Sequence, residues 1–131
     1  MSTTSMREIL LVEDNTLLRE TLQSVLEAAA FRVIACHDGE SAIEQARDRD
    51  IDVLLVDFRM PGLNGVDVTK IVRERHPSAC IIGMSLENRE KNFLAAGADA
   101  FLMKPFDTEE LIRITGAKAD ELEYICLRNC N

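Results

Sequence analysis

Five short aliphatic runs recur along the chain, and longer amphipathic stretches separate them. The runs are EILLV (8–12), RVIAC (32–36), DVLLV (52–56), CIIGM (80–84) and AFLM (100–103). None of them alternates polar and apolar positions, which is typical of strands buried on both faces of a parallel sheet. The stretches between them place apolar side chains at helical spacing, as Leu18, Leu22, Val25 and Leu26 do. Five strand-then-helix repeats predict one doubly wound α/β domain.

Two of the helix ends are marked by single residues. Gly97 follows the weak apolar pattern of the fourth helix, and a glycine is a common stop after a last helical turn. Asp107 precedes the last helix with Glu110 three residues further on, a pattern that favours an N-cap. We therefore expect the fourth helix to end before Gly97 and the fifth to begin at Asp107.

Composition narrows the function classes. The 131 residues include 15 basic and 23 acidic side chains, giving a formal charge of −8. Direct binding to nucleic acid is not expected, because sequence-independent contact with phosphate backbones needs a basic surface. No window approaches the roughly 18 apolar residues of a membrane span. The first residues become charged too early for a secretory signal. We expect a cytoplasmic protein with no membrane partner.

The chemistry concentrates where the predicted strands end. The first run leads into Glu13 and Asp14, the third into Asp57, the fourth into Ser85 and the fifth into Lys104. Each residue alone has an ordinary structural explanation, but parallel strands all end at the same edge of the sheet, where ligands bind. Oxygen-only ligands favour a hard cation such as Mg²⁺, and a lysine and a hydroxyl suit phosphoryl oxygens. The set predicts phosphoryl transfer to a carboxylate nucleophile.

At this point the chain resembles a known family. The segments LLVEDN, LLVDFRMPGLNG around Asp57, and GADAFLMKPF, together with Ser85, are similar to the receiver domain of two-component response regulators. The resemblance extends from about Arg7 to the last helix. It implies a flavodoxin-like, three-layer (βα)5 fold with strand order 2-1-3-4-5. A single receiver domain would then occupy residues 1–131, with a core at about 7–118 and a helical extension or the start of a linker at 119–131.

The resemblance also implies roles for the site residues. Asp57 would be the phosphoacceptor, and Lys104 would pair with it before phosphorylation and with the phosphoryl group afterwards. Asp14, Asp57 and the backbone carbonyl of Arg59 would ligate Mg²⁺. Glu13 would act on the metal mainly through water.

A switch and a set of partners follow from the same resemblance. Ser85 would swing its hydroxyl to a phosphoryl oxygen, and Phe101 would turn inward behind it. The peptide bond before Pro105 would be cis. The expected partners are a sensor histidine kinase or a histidine phosphotransfer protein, and a downstream effector protein or domain. A homodimer linked to phosphorylation is a further option.

Two features depart from the family pattern. Ser85 and Lys104 lie 19 residues apart, a few fewer than usual, which predicts a trimmed fourth helix or loop. Leu86 occupies a position that is normally small, next to the hydroxyl residue. A bulky side chain there would obstruct phosphodonors or attacking water, so we expect slow turnover of the phosphoryl group.

Three functions compete for this sequence. The first is a phosphorylatable receiver that switches partner binding, and the second is a pseudo-receiver, a protein-interaction module that works without phosphorylation. The third is a Mg²⁺-dependent phosphohydrolase or kinase. The sequence has neither a GxxxxGK[ST] loop nor a DxDx[TV] nucleophile motif. We therefore expect self-phosphorylation and autodephosphorylation only, with no turnover of an external substrate.

Overall fold

Strands and helices alternate strictly in the computed structural model, which describes residues 6–116. The strands are β1 (Glu8–Val12), β2 (Arg32–Cys36), β3 (Val53–Asp57), β4 (Cys80–Ser85) and β5 (Ala100–Met103). The helices are α1 (Thr16–Ala28), α2 (Gly39–Arg47), α3 (Gly65–Arg75), α4 (Glu90–Ala96) and α5 (Thr108–Gly116). All five aliphatic runs form the predicted strands, with bounds that differ by one residue at most. Residues 119–131, predicted as a helical extension or linker, lie outside the described residues.

The five strands form one parallel sheet in the order β2-β1-β3-β4-β5. Leu10 in the middle of β1 is paired with Ile34 of β2 on one side and with Leu54 of β3 on the other. The predicted doubly wound topology and strand order are therefore confirmed. Because the sheet is parallel, the carboxyl ends of all five strands lie along one edge.

Burial differs between the middle and the edges of the sheet. Nearly every residue of β1, β3 and β4 is buried, as predicted for strands covered on both faces. In β2, Arg32 is exposed and the next three residues are only partly buried, and Met103 of β5 is 47% exposed. The prediction of full burial was wrong for these two strands, because each is an edge strand with a neighbour on one side only.

Helices cover both faces of the sheet and produce two separate hydrophobic cores. The first core packs α1 and α5 against the sheet and contains Leu26 and Leu111. The second packs α2, α3 and α4 against the other face and contains Ala42, Val72 and Phe93. The result is the predicted three-layer architecture.

The predicted helix ends are confirmed at both marked positions. Gly97 ends α4 in the left-handed region at φ 110°, where a residue with a Cβ atom would be strained. The carboxylate of Asp107 accepts a hydrogen bond of 2.8 Å from the backbone N–H of Glu110 at the start of α5. α4 has seven residues and is the shortest of the helices, in line with the short spacing between Ser85 and Lys104.

The start of α3 is held close to the end of β3. Asn64 caps α3 through a capping box with Asp67, whose carboxylate accepts from the Asn64 backbone N–H at 3.1 Å. A Cβ atom on Gly65 would lie 2.3 Å from the backbone oxygen of Asp57, so only glycine permits this approach. Asn64 and Gly65 therefore begin a helix rather than forming a separate turn, and they fix the loop that follows Asp57.

Candidate functional site

Three carboxylates converge at the carboxyl edge of the sheet. Glu13 and Asp14 follow β1, and Asp57 is the last residue of β3. One oxygen from each lies within 4.8 Å of the other two. Glu13 and Asp57 are buried, whereas Asp14 is exposed. The ends of two strands thus bring three oxygen donors close to one another.

Lys104 brings a positive charge to these carboxylates from the end of β5. Its ammonium Nζ lies 2.8 Å from Oδ1 of Asp57 and 2.7 Å from Oε1 of Glu13. The backbone N–H of Lys104 donates to the carbonyl of Ser85 at 2.8 Å, which ties this loop to the end of β4. The peptide bond from Lys104 to Pro105 is cis, as the resemblance implied.

One ammonium does not balance three carboxylates. Burial raises the pKa of Glu13, and the hydrogen bond from Lys104 only partly opposes that effect. Burial likewise raises the pKa of Asp57; Lys104 lowers it, and the charge of Asp14 raises it further. Burial alone would lower the pKa of Lys104, but its hydrogen bonds to Asp57 and Glu13 prevail and raise it. The site therefore favours additional positive charge.

Glu13 has partners that sequence reasoning missed. Its Oε1 accepts from Lys104, and its Oε2 accepts from the backbone N–H of Asn15 at 3.1 Å. Both carboxylate oxygens are thus engaged by groups of the protein itself. The sequence contained one indication that Glu13 would be buried and paired. Glu13 directly follows the buried strand β1, whereas Asp14 is one residue further along the chain.

The predicted switch residues lie on β4 and β5. Ser85 is buried, and its Oγ accepts a hydrogen bond of 3.1 Å from the backbone N–H of Glu87. Phe101 is half-buried, and its ring centroid lies 5.8 Å from that of Phe93 in the second core. Ser85 therefore lies at the same edge as the carboxylates, one strand away from Asp57. Phe101 lies further from that edge, because it is paired with Gly83, two residues before Ser85 in β4.

A cleft of about 580 Å³ opens beside the carboxylates. Glu13, Asp14, Asp57 and Lys104 line one end of it, and Leu86 and Arg59 also contribute. Leu86 is 70% exposed and also lines the cleft, which places its side chain at the entrance, where the cleft meets solvent. The rest of the wall is mainly apolar and comes from α1, α5 and the loop between β5 and α5. An apolar wall beside the carboxylates was not predicted, although Leu18, Leu22 and Val25 of the wall belong to the apolar stripe predicted for α1.

With this geometry established, the family of the chain follows. Residues 9–115 match the family described as "Response regulator receiver domain". The chain therefore belongs to the receiver domain family of two-component response regulators, as its motifs indicated.

Individual relatives agree with this assignment. The chain is 40% identical over 109 residues to the transcriptional regulatory protein CpxR of Escherichia coli K12, covering 82% of this chain and 47% of CpxR. It is 32% identical over 118 residues to the nitrate/nitrite response regulator protein NarL of the same strain, covering 86% of this chain and 55% of NarL. The chain thus spans about half the length of these two relatives.

Solved structures show the same fold. A receiver domain of the sensor histidine kinase PA1611 from Pseudomonas aeruginosa PAO1, described with a magnesium ion coordinated in its active site cleft, is 33% identical with a TM-score of 0.79. That match covers 88% of this chain and 99% of PA1611's receiver domain. A CheY-like receiver domain protein from Methanospirillum hungatei JF-1 is 25% identical with a TM-score of 0.84, covering 92% and 99% of the two chains.

Among residues 6–116, no helix has the length and apolar character needed to cross a bilayer.

Proposed function

We propose that Asp57 accepts a phosphoryl group and that the chain works as a phosphorylation-dependent signalling switch. The observation that carries this proposal is the cluster of three carboxylates, two of which are buried and contact the same lysine. Such a site is costly to build, because buried like charges repel and lose hydration. A site of this kind is useful where a cation and a phosphoryl group are to be bound in turn.

The donor set fits Mg²⁺. All three acidic groups offer oxygen, which is the ligand atom that this hard cation prefers. The single positive charge of Lys104 does not neutralise three carboxylates, so a cation would be attracted to the cluster. Asp14, Asp57 and the backbone carbonyl of Arg59 would hold the ion. Glu13 would act mainly through water, which agrees with the engagement of both its oxygens by Lys104 and Asn15. The bound cation would neutralise charge between the incoming phosphoryl oxygens and the carboxylate.

Phosphoryl transfer would occur directly onto Asp57. One carboxylate oxygen of Asp57 attacks the phosphorus of a phosphohistidine, and the phosphorus–nitrogen bond breaks. The bonding electrons stay with the imidazole nitrogen, which then takes a proton from solvent. Lys104, already 2.8 Å from Oδ1 of Asp57, is placed to stabilise the phosphoryl oxygens. Attack of water on phosphorus later breaks the bond to Asp57 and releases inorganic phosphate.

The new group would bias the conformation of the β4–α4 and β5–α5 loops. A phosphoryl group adds about 1.5–2 negative charges and strong hydrogen-bond acceptors. Ser85 would turn its hydroxyl towards a phosphoryl oxygen, and Phe101 would move further inward. The output is then a shift between two surfaces that differ in affinity for a partner, not the turnover of an external substrate.

The partners follow from the same chemistry. A sensor histidine kinase or a histidine phosphotransfer protein would supply the phosphoryl group, and an effector protein or domain would read it, with a phosphorylation-linked homodimer as a further form. The chain spans about half the length of the curated relatives it matches. We propose that residues 1–131 form one receiver domain in the cytoplasm, with 119–131 as an extension or linker.

Intact-mass analysis with acetyl phosphate and Mg²⁺ tests the phosphoacceptor. We expect the native chain to gain one phosphoryl group, and Asp57→Ala to gain none, because the change removes the proposed nucleophile and both oxygens of the neighbouring Glu13 are engaged by Lys104 and Asn15. Asp48→Ala, at the exposed end of α2, is the matched control and should label like the native chain. If the native chain takes no phosphoryl group from acetyl phosphate or from histidine kinases, the pseudo-receiver function replaces this proposal.

Leu86 provides a second test, which concerns the lifetime of the phosphoryl group. Leu86→Ala should shorten that lifetime about threefold or more, since the exposed leucine at the entrance of the cleft hinders the attacking water. The lifetime is measured by following the loss of the added mass after the donor is removed. Leu94→Ala, an exposed leucine on α4, serves as the control. An equal lifetime in both variants would contradict the role of Leu86.

A further inference from the structure

An ion-pair cluster joins the two loops that flank Asp57 and Ser85. Arg59, in the loop after β3, donates from Nε to Oε1 of Glu87 at 2.6 Å and also contacts that oxygen through Nη2. Glu87, in the loop after β4, holds Nη2 of Arg89 with its other oxygen at 3.5 Å. One carboxylate therefore bridges two arginines from different parts of the chain.

Glu87 also holds the switch serine. Its backbone N–H donates to Oγ of Ser85 at 3.1 Å, two residues earlier in the chain. The side chain of Glu87 fixes the position of this loop through Arg59, and the backbone of the same residue occupies the hydroxyl of Ser85. A phosphoryl group that attracts this hydroxyl therefore competes with a hydrogen bond that the ion pairs hold in place.

Arg89 is held less completely than the other members. Its guanidinium lies over the ring of Phe58 at 4.3 Å from the centroid, and Phe58 in turn contacts Phe93 edge-on at 6.3 Å. Its Nε is buried without a hydrogen-bond partner in the described part of the chain. Because its ion pair with Glu87 is long and its Nε has no hydrogen-bond partner there, Arg89 can leave this position at a small cost in free energy.

We propose that Arg59, Glu87 and Arg89 form a latch that keeps the hydroxyl of Ser85 in its resting position and so sets how readily the receiver switches. The three are positioning residues, because they act on Ser85 through the β4–α4 loop. The contacts of the latch are observed in the resting protein, whereas its opening by a phosphoryl group on Asp57 rests on the proposed function. Weakening the latch raises the resting population of the switched form, which makes binding of a phosphoryl mimic easier.

Amide hydrogen exchange tests the latch without any phosphorylation. In the Mg²⁺-free protein, Arg59→Gln and Glu87→Gln should each speed exchange at the Glu87 amide about two- to fivefold, the range expected for a solvent-exposed ion pair. The double variant should add little to Glu87→Gln alone, because that change already removes the pair with Arg59. Arg59→Lys keeps the charge and should restore most of the protection. Arg47→Gln breaks an exposed ion pair with Glu44 on α2 and should leave the Glu87 amide unchanged.

Titration with beryllofluoride and Mg²⁺, followed by NMR at the Phe101 amide, tests the effect on switching. The apparent dissociation constant should fall about two- to fivefold in Glu87→Gln relative to the native chain. Unchanged exchange at Glu87, additive effects in the double variant, or an equal or weaker affinity for beryllofluoride would overturn the latch. If the native chain binds no beryllofluoride, the proposed function fails, and the exchange measurement alone decides about the latch.

Discussion

Two charged clusters lie at opposite edges of the sheet, and they differ in how well the charges of their buried side chains are balanced. At the amino edge, Arg73 of α3 pairs with Asp99 at 2.7 Å, and Asp99 also accepts from the backbone N–H of Ile81 at 2.9 Å. Arg73 further donates to four backbone carbonyls, those of His76, Pro77, Ala79 and Gly97. Here one positive and one negative charge meet, and every arm of the guanidinium has a partner.

At the carboxyl edge, negative side-chain charge exceeds the positive charge of Lys104. Lys104 faces Glu13 and Asp57 directly, and Asp14 lies close to both carboxylates. Burial raises the pKa of Glu13 and of Asp57, which means that this edge holds its negative charge at a cost. Buried charge thus serves two purposes in this protein. A cluster whose charges are balanced stabilises the packing of its elements, whereas a cluster with excess negative charge destabilises the fold and favours binding of a cation and a phosphoryl group.

Arg73→Met should have the largest effect on stability and little effect on the site. The change removes an ion pair that is about three-quarters buried, so Asp99 loses its charged partner and four backbone carbonyls lose the arginine as a donor. We expect the free energy of unfolding to fall by about 2–3 kcal/mol in urea denaturation, somewhat less than for a fully buried pair. Lys70→Met, on the exposed side of the same helix, should change it by less than about 0.5 kcal/mol. A similar loss in both variants would remove the structural role given to Arg73.

Mg²⁺ should stabilise the chain through the carboxyl edge alone. A ligand that binds only the folded state at ten times its dissociation constant adds about 1.4 kcal/mol to the free energy of unfolding. Asp14→Asn should lose most of this increment, because it removes one of the three converging oxygens. Asp99→Asn, at the opposite edge, should keep it even though the variant is less stable. Thermal denaturation with and without Mg²⁺ measures both; an equal increment in Asp14→Asn would contradict the metal site.

Much of this architecture could be predicted from local pattern. Buried parallel strands leave continuous aliphatic runs, so all five strands were located to within one residue. The site residues could be placed together because parallel strands share a carboxyl edge, which brings Asp57 and Lys104 together although they lie far apart in the chain. The resemblance to receiver domains added the roles of these residues, and the family assignment is confirmed by the match over residues 9–115.

The remainder depends on side-chain geometry that no local pattern records. Glu13 pairs with Lys104 across 91 positions, and Arg73 reaches Asp99 across 26. Surface arginines and glutamates are common, so nothing in the sequence distinguishes Arg59 and Glu87 from solvated charges. The reduced burial of β2 was missed because its apolar run resembles those of the inner strands, although the predicted strand order already placed β2 at an edge.

Asp57→Asn should stabilise the metal-free protein, by about 1 kcal/mol near neutral pH, since it removes a buried charge from the unbalanced edge. The asparagine oxygen can still accept from Lys104, so the native contact survives. The raised pKa of Asp57 also determines how the stability of the native protein changes with pH. The pKa of Asp57 is raised on folding, so the folded protein binds more protons than the unfolded chain between the ordinary and the raised pKa, and its stability falls as pH rises through that window. The advantage of Asp57→Asn should therefore be near zero below about pH 4, grow above it, and shrink when Mg²⁺ is added. Urea denaturation of both proteins across this range measures the difference; an advantage that is constant with pH would show that charge at Asp57 is not its cause.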